Sequence, residues 1–80
     1  MIVLEGYDLA VLGPAFVWHG GEQIETLVYD AEGIRKILMD RDGMDEQEAR
    51  EFIEYNIERL NLGPGTPILV WPEDYYEHPH

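Results

Sequence analysis

Six residues late in the chain repeat at helical spacing: Ala49, Phe52, Ile53, Asn56, Ile57 and Leu60 fall at i, i+3, i+4, i+7, i+8 and i+11. A strand turns successive side chains to opposite faces, so only an amphipathic helix gathers this set on one side. Asp45, with Glu48 three residues on, supplies a capping box for the start of that helix. On its apolar face Asn56 is the one amide, and its position predicts a structural tie from the helix to a neighbouring loop or strand end. A shorter helix precedes it. Asp30 suits an N-cap, Tyr29 is placed to staple onto Ile34, and Ile34, Ile37 and Leu38 form the apolar face. Gly43 suits the left-handed position that ends it.

Upstream the period changes to two. Leu9-Ala10-Val11-Leu12 and Ala15-Phe16-Val17-Trp18 read as one strand or a broken pair. Gly13-Pro14 between them predicts a bulge or an edge position, because Pro cannot donate to a ladder. Gly20-Gly21 marks a turn, and the β-rich Ile24 to Tyr29 should return as the second arm of a hairpin. Gly63-Pro64-Gly65 closes the helical stretch, and Thr66 to Trp71 reads as a last strand. The order β-β-α-α-β predicts an α+β fold, a small two-layer domain over residues 1–72. It has a three-stranded, mainly antiparallel sheet with two helices on one face. Residues 73–80 read as an acidic, aromatic C-terminal tail, only partly ordered.

No cysteine is present, so neither a disulfide nor a thiolate metal site can staple the fold, and a reducing cytoplasm fits. The core must come from packing alone, for which 45% hydrophobic residues suffice. No apolar run approaches the ~20 residues of a membrane span, and Met1-Ile2-Val3-Leu4-Glu5 lacks the basic region and length of a signal peptide. The charge balance is the unusual quantity. Seventeen Asp+Glu stand against five Lys+Arg, a net charge of −12. Phosphate affinity comes from Lys and Arg, so direct nucleic-acid binding is disfavoured, and anionic membranes with it. A basic partner fits this balance.

The carboxylates concentrate between Asp40 and Glu58, where eight acids face two arginines. On a helical wheel Glu48, Glu51, Glu54 and Glu58 lie opposite the Ala49/Phe52/Asn56 face. Successive turns space them by ~5.4 Å, similar to phosphates along one DNA strand. Such a ridge can occupy a groove built for nucleic acid. The plainer reading is a solvated face, favoured near a helix N-terminus by the dipole. Some of Trp18, Trp71, Tyr75 and Tyr76 must be core in so small a domain; Tyr75 and Tyr76, among Glu73, Asp74 and Glu77, can serve either as packing over a sheet edge or as anchors for an arginine-rich surface. The candidate partner-binding residues are Asp40, Asp42, Glu48, Glu51, Glu54, Glu58, Tyr75 and Tyr76.

Other chemistries lack their residues. Aligning Gly43 with the glycine of a calcium loop puts Leu38 at the first ligand position and Ala49 where a bidentate Glu belongs. His78-Pro79-His80 offers two weak ligands and no evident third. The chain has no serine or cysteine nucleophile, and Thr26 and Thr66 fall in expected strands. The glycine pairs lack phosphate-loop spacing. The expectation is a protein that is not an enzyme and needs no metal or cofactor.

Several pieces together resemble a group of short proteins encoded by phages and prophages. They are Val28-Tyr29-Asp30, then Ile37-Leu38-Met39 with Asp42-Gly43-Met44. Glu48-Ala49-Arg50-Glu51-Phe52 with Tyr55-Asn56 follows, and then Gly63, Gly65, Thr66 and Pro67. The departure is Glu58-Arg59-Leu60-Asn61-Leu62, where that group carries a small-aromatic run. The resemblance implies phage origin more than mechanism. By type, size and charge the chain is similar to acidic inhibitors that imitate DNA, among them anti-CRISPR proteins. The expected function is therefore inhibition, in the host cytoplasm, of a defence enzyme through its basic nucleic-acid-binding surface. The alternative is a small accessory or assembly protein acting through an exposed strand edge, as monomer or homodimer.

Overall fold

Gly20 and Gly21 hold φ at +58° and +82°, the pair of left-handed conformations that a two-residue type I′ hairpin turn demands. The structure, a computed structural model, describes residues 1–72; the tail expected over residues 73–80, with Tyr75 and Tyr76, lies outside the described residues. The turn joins β1 (Val11–His19) to β2 (Glu22–Asp30), antiparallel and in register from Gly13↔Val28 to His19↔Glu22. Nothing lies within 4 Å of a Cβ built at Gly21. The cost of a side chain there is therefore purely conformational. Gly21→Val is expected to destabilise the fold by about 1–2 kcal/mol, read as a lowered urea midpoint with an unchanged m-value.

One residue too many separates the Val11↔Tyr29 pair from Gly13↔Val28, so Leu12 bulges from β1. The expected Gly13-Pro14 irregularity thus takes the form of a bulge in an edge strand, where a missing Pro donor is tolerated. The sheet order is β1-β2-β3, and β3 (Ile68–Val70) runs parallel to β2 through Val28↔Ile68, Tyr29↔Leu69 and Asp30↔Val70. The sheet is mixed. Parallel neighbours cannot be joined by a tight turn, and the stretch through both helices supplies the crossover that this pairing needs.

Asp30 ends β2 and caps α1 (Ala31–Asp42), its side chain accepting the Glu32 N–H at 3.1 Å. Gly43, at φ +69°, stops that helix as expected. The capping box of α2 (Glu46–Ile53) is complete: Asp45 accepts the Glu48 N–H at 2.8 Å, and Glu48 accepts the Asp45 N–H at 3.1 Å. From Glu54 to Glu58 the chain then widens into a π turn. Each residue of a π turn advances by less than the ~100° of an α-helix. Ile57 is thereby carried back toward the core, and Asn56 is pushed off it. Asn56 is exposed, not buried, and it donates to the Phe52 carbonyl of its own helix at 3.1 Å. Among the described residues the expected tie to another element does not form.

The core gathers Tyr29 from β2, Ile34 and Leu38 from α1, and Ala49 and Ile53 from α2, with Tyr7 and Ala10 of a short 3-10 turn. Val11, Leu27 and Leu69 pack against it. Val11, Tyr29 and Leu69 are register partners on one sheet face, so the helices cover that face. Tyr29 is fully buried, and its hydroxyl accepts the Leu4 N–H at 2.9 Å, which fastens the N-terminal segment. The buried Thr26 hydroxyl faces two carbonyls, Gly65 at 3.0 Å and Thr66 at 2.8 Å, and so holds the approach to β3 against β2. No helix among the described residues is long and apolar enough to cross a membrane.

Candidate functional site

Asp40, Asp42, Glu48, Glu51, Glu54 and Glu58 are all exposed, but the structure does not string them along one line. Asp40 and Asp42 occupy the last turn of α1. Asp40 borders an open groove of about 500 Å³ with Gly6, Asp8, Leu9, Ile37 and Arg41. Glu58 borders a different groove, with Ile57, Pro67, Leu69 and Trp71. Glu48, Glu51 and Glu54 follow one another along α2 and into its π turn, and these three make the contiguous part of the expected ridge.

Their engagement differs too. The Arg41 guanidinium donates to both Asp42 carboxylate oxygens at 2.9 Å, and by this hydrogen bond first and its charge second it holds the Asp42 carboxyl below the ordinary carboxylate range. Arg41 also lies 5.1 Å over the Tyr7 ring and donates to the Gly6 carbonyl at 3.2 Å. Asp42 is therefore neutralised locally and belongs to a clasp between α1 and the N-terminal segment. A depressed folded pKa means a contribution present above the ordinary Asp pKa and lost as pH falls through the lowered value. Arg41→Met is expected to return the Asp42 titration to the ordinary range near pH 4, visible in the pH dependence of its side-chain carboxyl resonance. An unchanged midpoint would mean that the guanidinium is not the cause.

Glu54 has Arg59 at 3.8 Å, a surface pair of small worth. Glu48 spends one oxygen on the capping box, and Glu51 accepts from Gln47 at 3.2 Å. Glu58 accepts the Trp71 indole N–H at 2.6 Å, while Arg50 lies 5.6 Å over the Trp71 ring. Among the described residues no Lys or Arg forms an ion pair with Asp40, Glu48, Glu51 or Glu58.

Asp40 is also placed against the helix dipole, since the last turn of a helix favours cations. Asp40→Lys is accordingly expected to stabilise the isolated protein by about 0.3–1 kcal/mol, measured by thermal unfolding at low salt; a lowered midpoint would overturn the dipole account.

Trp71, expected only as a candidate for the core, is clasped to Glu58, a contact that the sequence pattern does not show. Sequence reasoning also did not foresee that β1 leaves Phe16 58% and Trp18 74% exposed. Their i, i+2 spacing in an edge strand was the available signal. No known protein family, curated protein or solved structure matches the chain.

Proposed function

We propose that this protein is a small acidic inhibitor of the kind carried by phages, acting on the basic nucleic-acid-binding surface of a host defence enzyme in the host cytoplasm. The observation that carries the reading is the exposed run Glu48, Glu51 and Glu54 on successive turns, in a chain of net charge −12. Carboxylates about one helical turn apart offer a Lys/Arg-lined channel a row of anions where phosphates would otherwise sit. The affinity needs no pocket and no reaction, and the protein is not an enzyme on this reading. Self-repulsion on this scale costs stability, and Asp40 at the negative end of α1 adds to that cost, as expected where surface charge is kept for a partner.

The test is capture of host proteins on the immobilised chain at low and high salt. A nucleic-acid enzyme retained at low salt, released steeply as salt rises and competed by DNA supports the reading. A partner whose retention does not respond to salt overturns it.

A second reading has an observation of its own. Among the described residues β1 is a nine-residue edge strand with one side unpaired in the sheet, and such an edge can accept a strand from another chain. A small accessory or assembly role would use that edge, and its binding would be largely indifferent to salt.

A further inference from the structure

The hairpin exposes three large apolar side chains, Leu12, Phe16 and Trp18, and carries no Lys or Arg. From Met1 to Ile34 the sequence contains no Lys or Arg, whereas Glu5, Asp8, Glu22, Glu25, Asp30 and Glu32 all fall there. Phe16 stands directly opposite Glu25 in the ladder, and Trp18 opposite Gln23. Ladder partners share a face, as do residues two apart on one strand. Phe16, Trp18 and Glu25 therefore present two aromatic rings and a carboxylate on the same side of β1 and β2, and all three are exposed.

Elsewhere the chain shows what such rings take. Arg41 lies over Tyr7 at 5.1 Å, Arg50 over Trp71 at 5.6 Å and Arg59 over Tyr55 at 4.6 Å. Among the described residues no cation stands over Phe16 or Trp18, and none forms an ion pair with Glu25. We infer that the Phe16–Glu25–Trp18 face is a docking surface for an arginine-bearing segment of a partner protein. A guanidinium would stack on the aromatic rings and hydrogen-bond the Glu25 carboxylate. Planar, weakly hydrated Arg suits both contacts at once, and a Lys ammonium suits them less well. Charge decides against a second copy as the occupant, because two chains of −12 would bring together hairpins with no cation to offset their acids. This surface is separate from α2 and does not depend on the acids there.

The experiment titrates the full chain with a Gly-Arg repeat peptide and with a Gly-Lys repeat peptide of equal length, following the Trp18 indole N–H in nitrogen–proton spectra. The expected result is a saturable shift at Trp18 with the arginine peptide, binding about 2- to 5-fold tighter than the lysine peptide. That shift should disappear with Glu25→Lys, and binding should weaken with Phe16→Ser combined with Trp18→Ser. Both sets lie on exposed positions, and Glu25→Lys leaves the aromatic surface intact should the double variant fold poorly. Equal affinity for both peptides with no movement at Trp18 overturns the inference. So does a Trp18 shift that tracks protein concentration without peptide, which would mean pairing between copies. If binding is lost on replacing Glu51 and Glu54 by Lys and kept in the hairpin variants, the peptide sits on α2. The hairpin inference then fails, and the reading of the α2 acids stands.

Discussion

With Glu48→Gln, Glu51→Lys and Glu54→Lys combined, association with a basic host channel is expected to weaken on the order of ten- to a hundred-fold at low salt. The three changes shift the net charge by +1, +2 and +2, from −12 to −7. The choice of Gln at position 48 matters. Glu48 accepts the Asp45 N–H in the capping box, and a Gln carbonyl can do the same. The start of α2 is thus preserved while its charge is removed, and the other two positions are exposed. Folding stability should shift by only about 0.5 kcal/mol, so lost binding would report the interface. The measurement is a titration of purified partner at two salt concentrations, and the salt dependence should flatten alongside the loss of affinity. Binding of unchanged strength and slope would remove the carboxylates of α2 from the interface and the proposed function with them.

The second large effect falls on the core. Tyr29→Ala is expected to cost about 3–5 kcal/mol, against a total of about 4–12 kcal/mol for a chain of 80 residues. Three roles meet at this residue. Its ring is fully buried among Ile34, Leu38 and Ile53, its backbone pairs on both sides with Val11 and Leu69, and its hydroxyl accepts the Leu4 N–H. Alanine keeps the pairing, opens a cavity and orphans the Leu4 donor. Tyr29→Phe isolates the last of these and should cost about 1 kcal/mol. Urea unfolding followed by far-UV circular dichroism distinguishes the two. Equal midpoints for the Ala and Phe variants would show that the ring does not anchor the core as described.

What the sequence made legible was local. Asp30, Gly43 and the Asp45/Glu48 pair announce helix ends because capping is decided within a turn of chain, and Gly20-Gly21 announces the hairpin for the same reason. The expectation of a mainly antiparallel sheet left the direction of β3 open, because that direction depends on where two helices deliver the chain. Asn56 was misplaced because a 3.6-residue period was carried through Glu54 to Glu58, where the helix widens; nothing in Glu54-Tyr55-Asn56-Ile57-Glu58 advertises a π turn. The candidate acids were individually found on the surface, as any charged residue would be. That Asp42 is tied to Arg41, that Glu58 is tied to Trp71, and that Asp40 and Glu58 border separate grooves are relations between elements. Helical wheels do not contain them.

The pairing of Val28 with Ile68 spans forty residues of chain. The hairpin and both helices close through contacts between near neighbours, which form quickly, whereas β3 must wait until the whole helical stretch has been laid down. The last strand is therefore placed to join a nearly finished body, with the Thr26 hydroxyl as the latch that meets its approach. Opening of that latch alone would bare the β2 edge and leave the hairpin and helices in place, so exchange of amide protons at Ile68 to Val70 should report a local event well before the molecule as a whole comes apart.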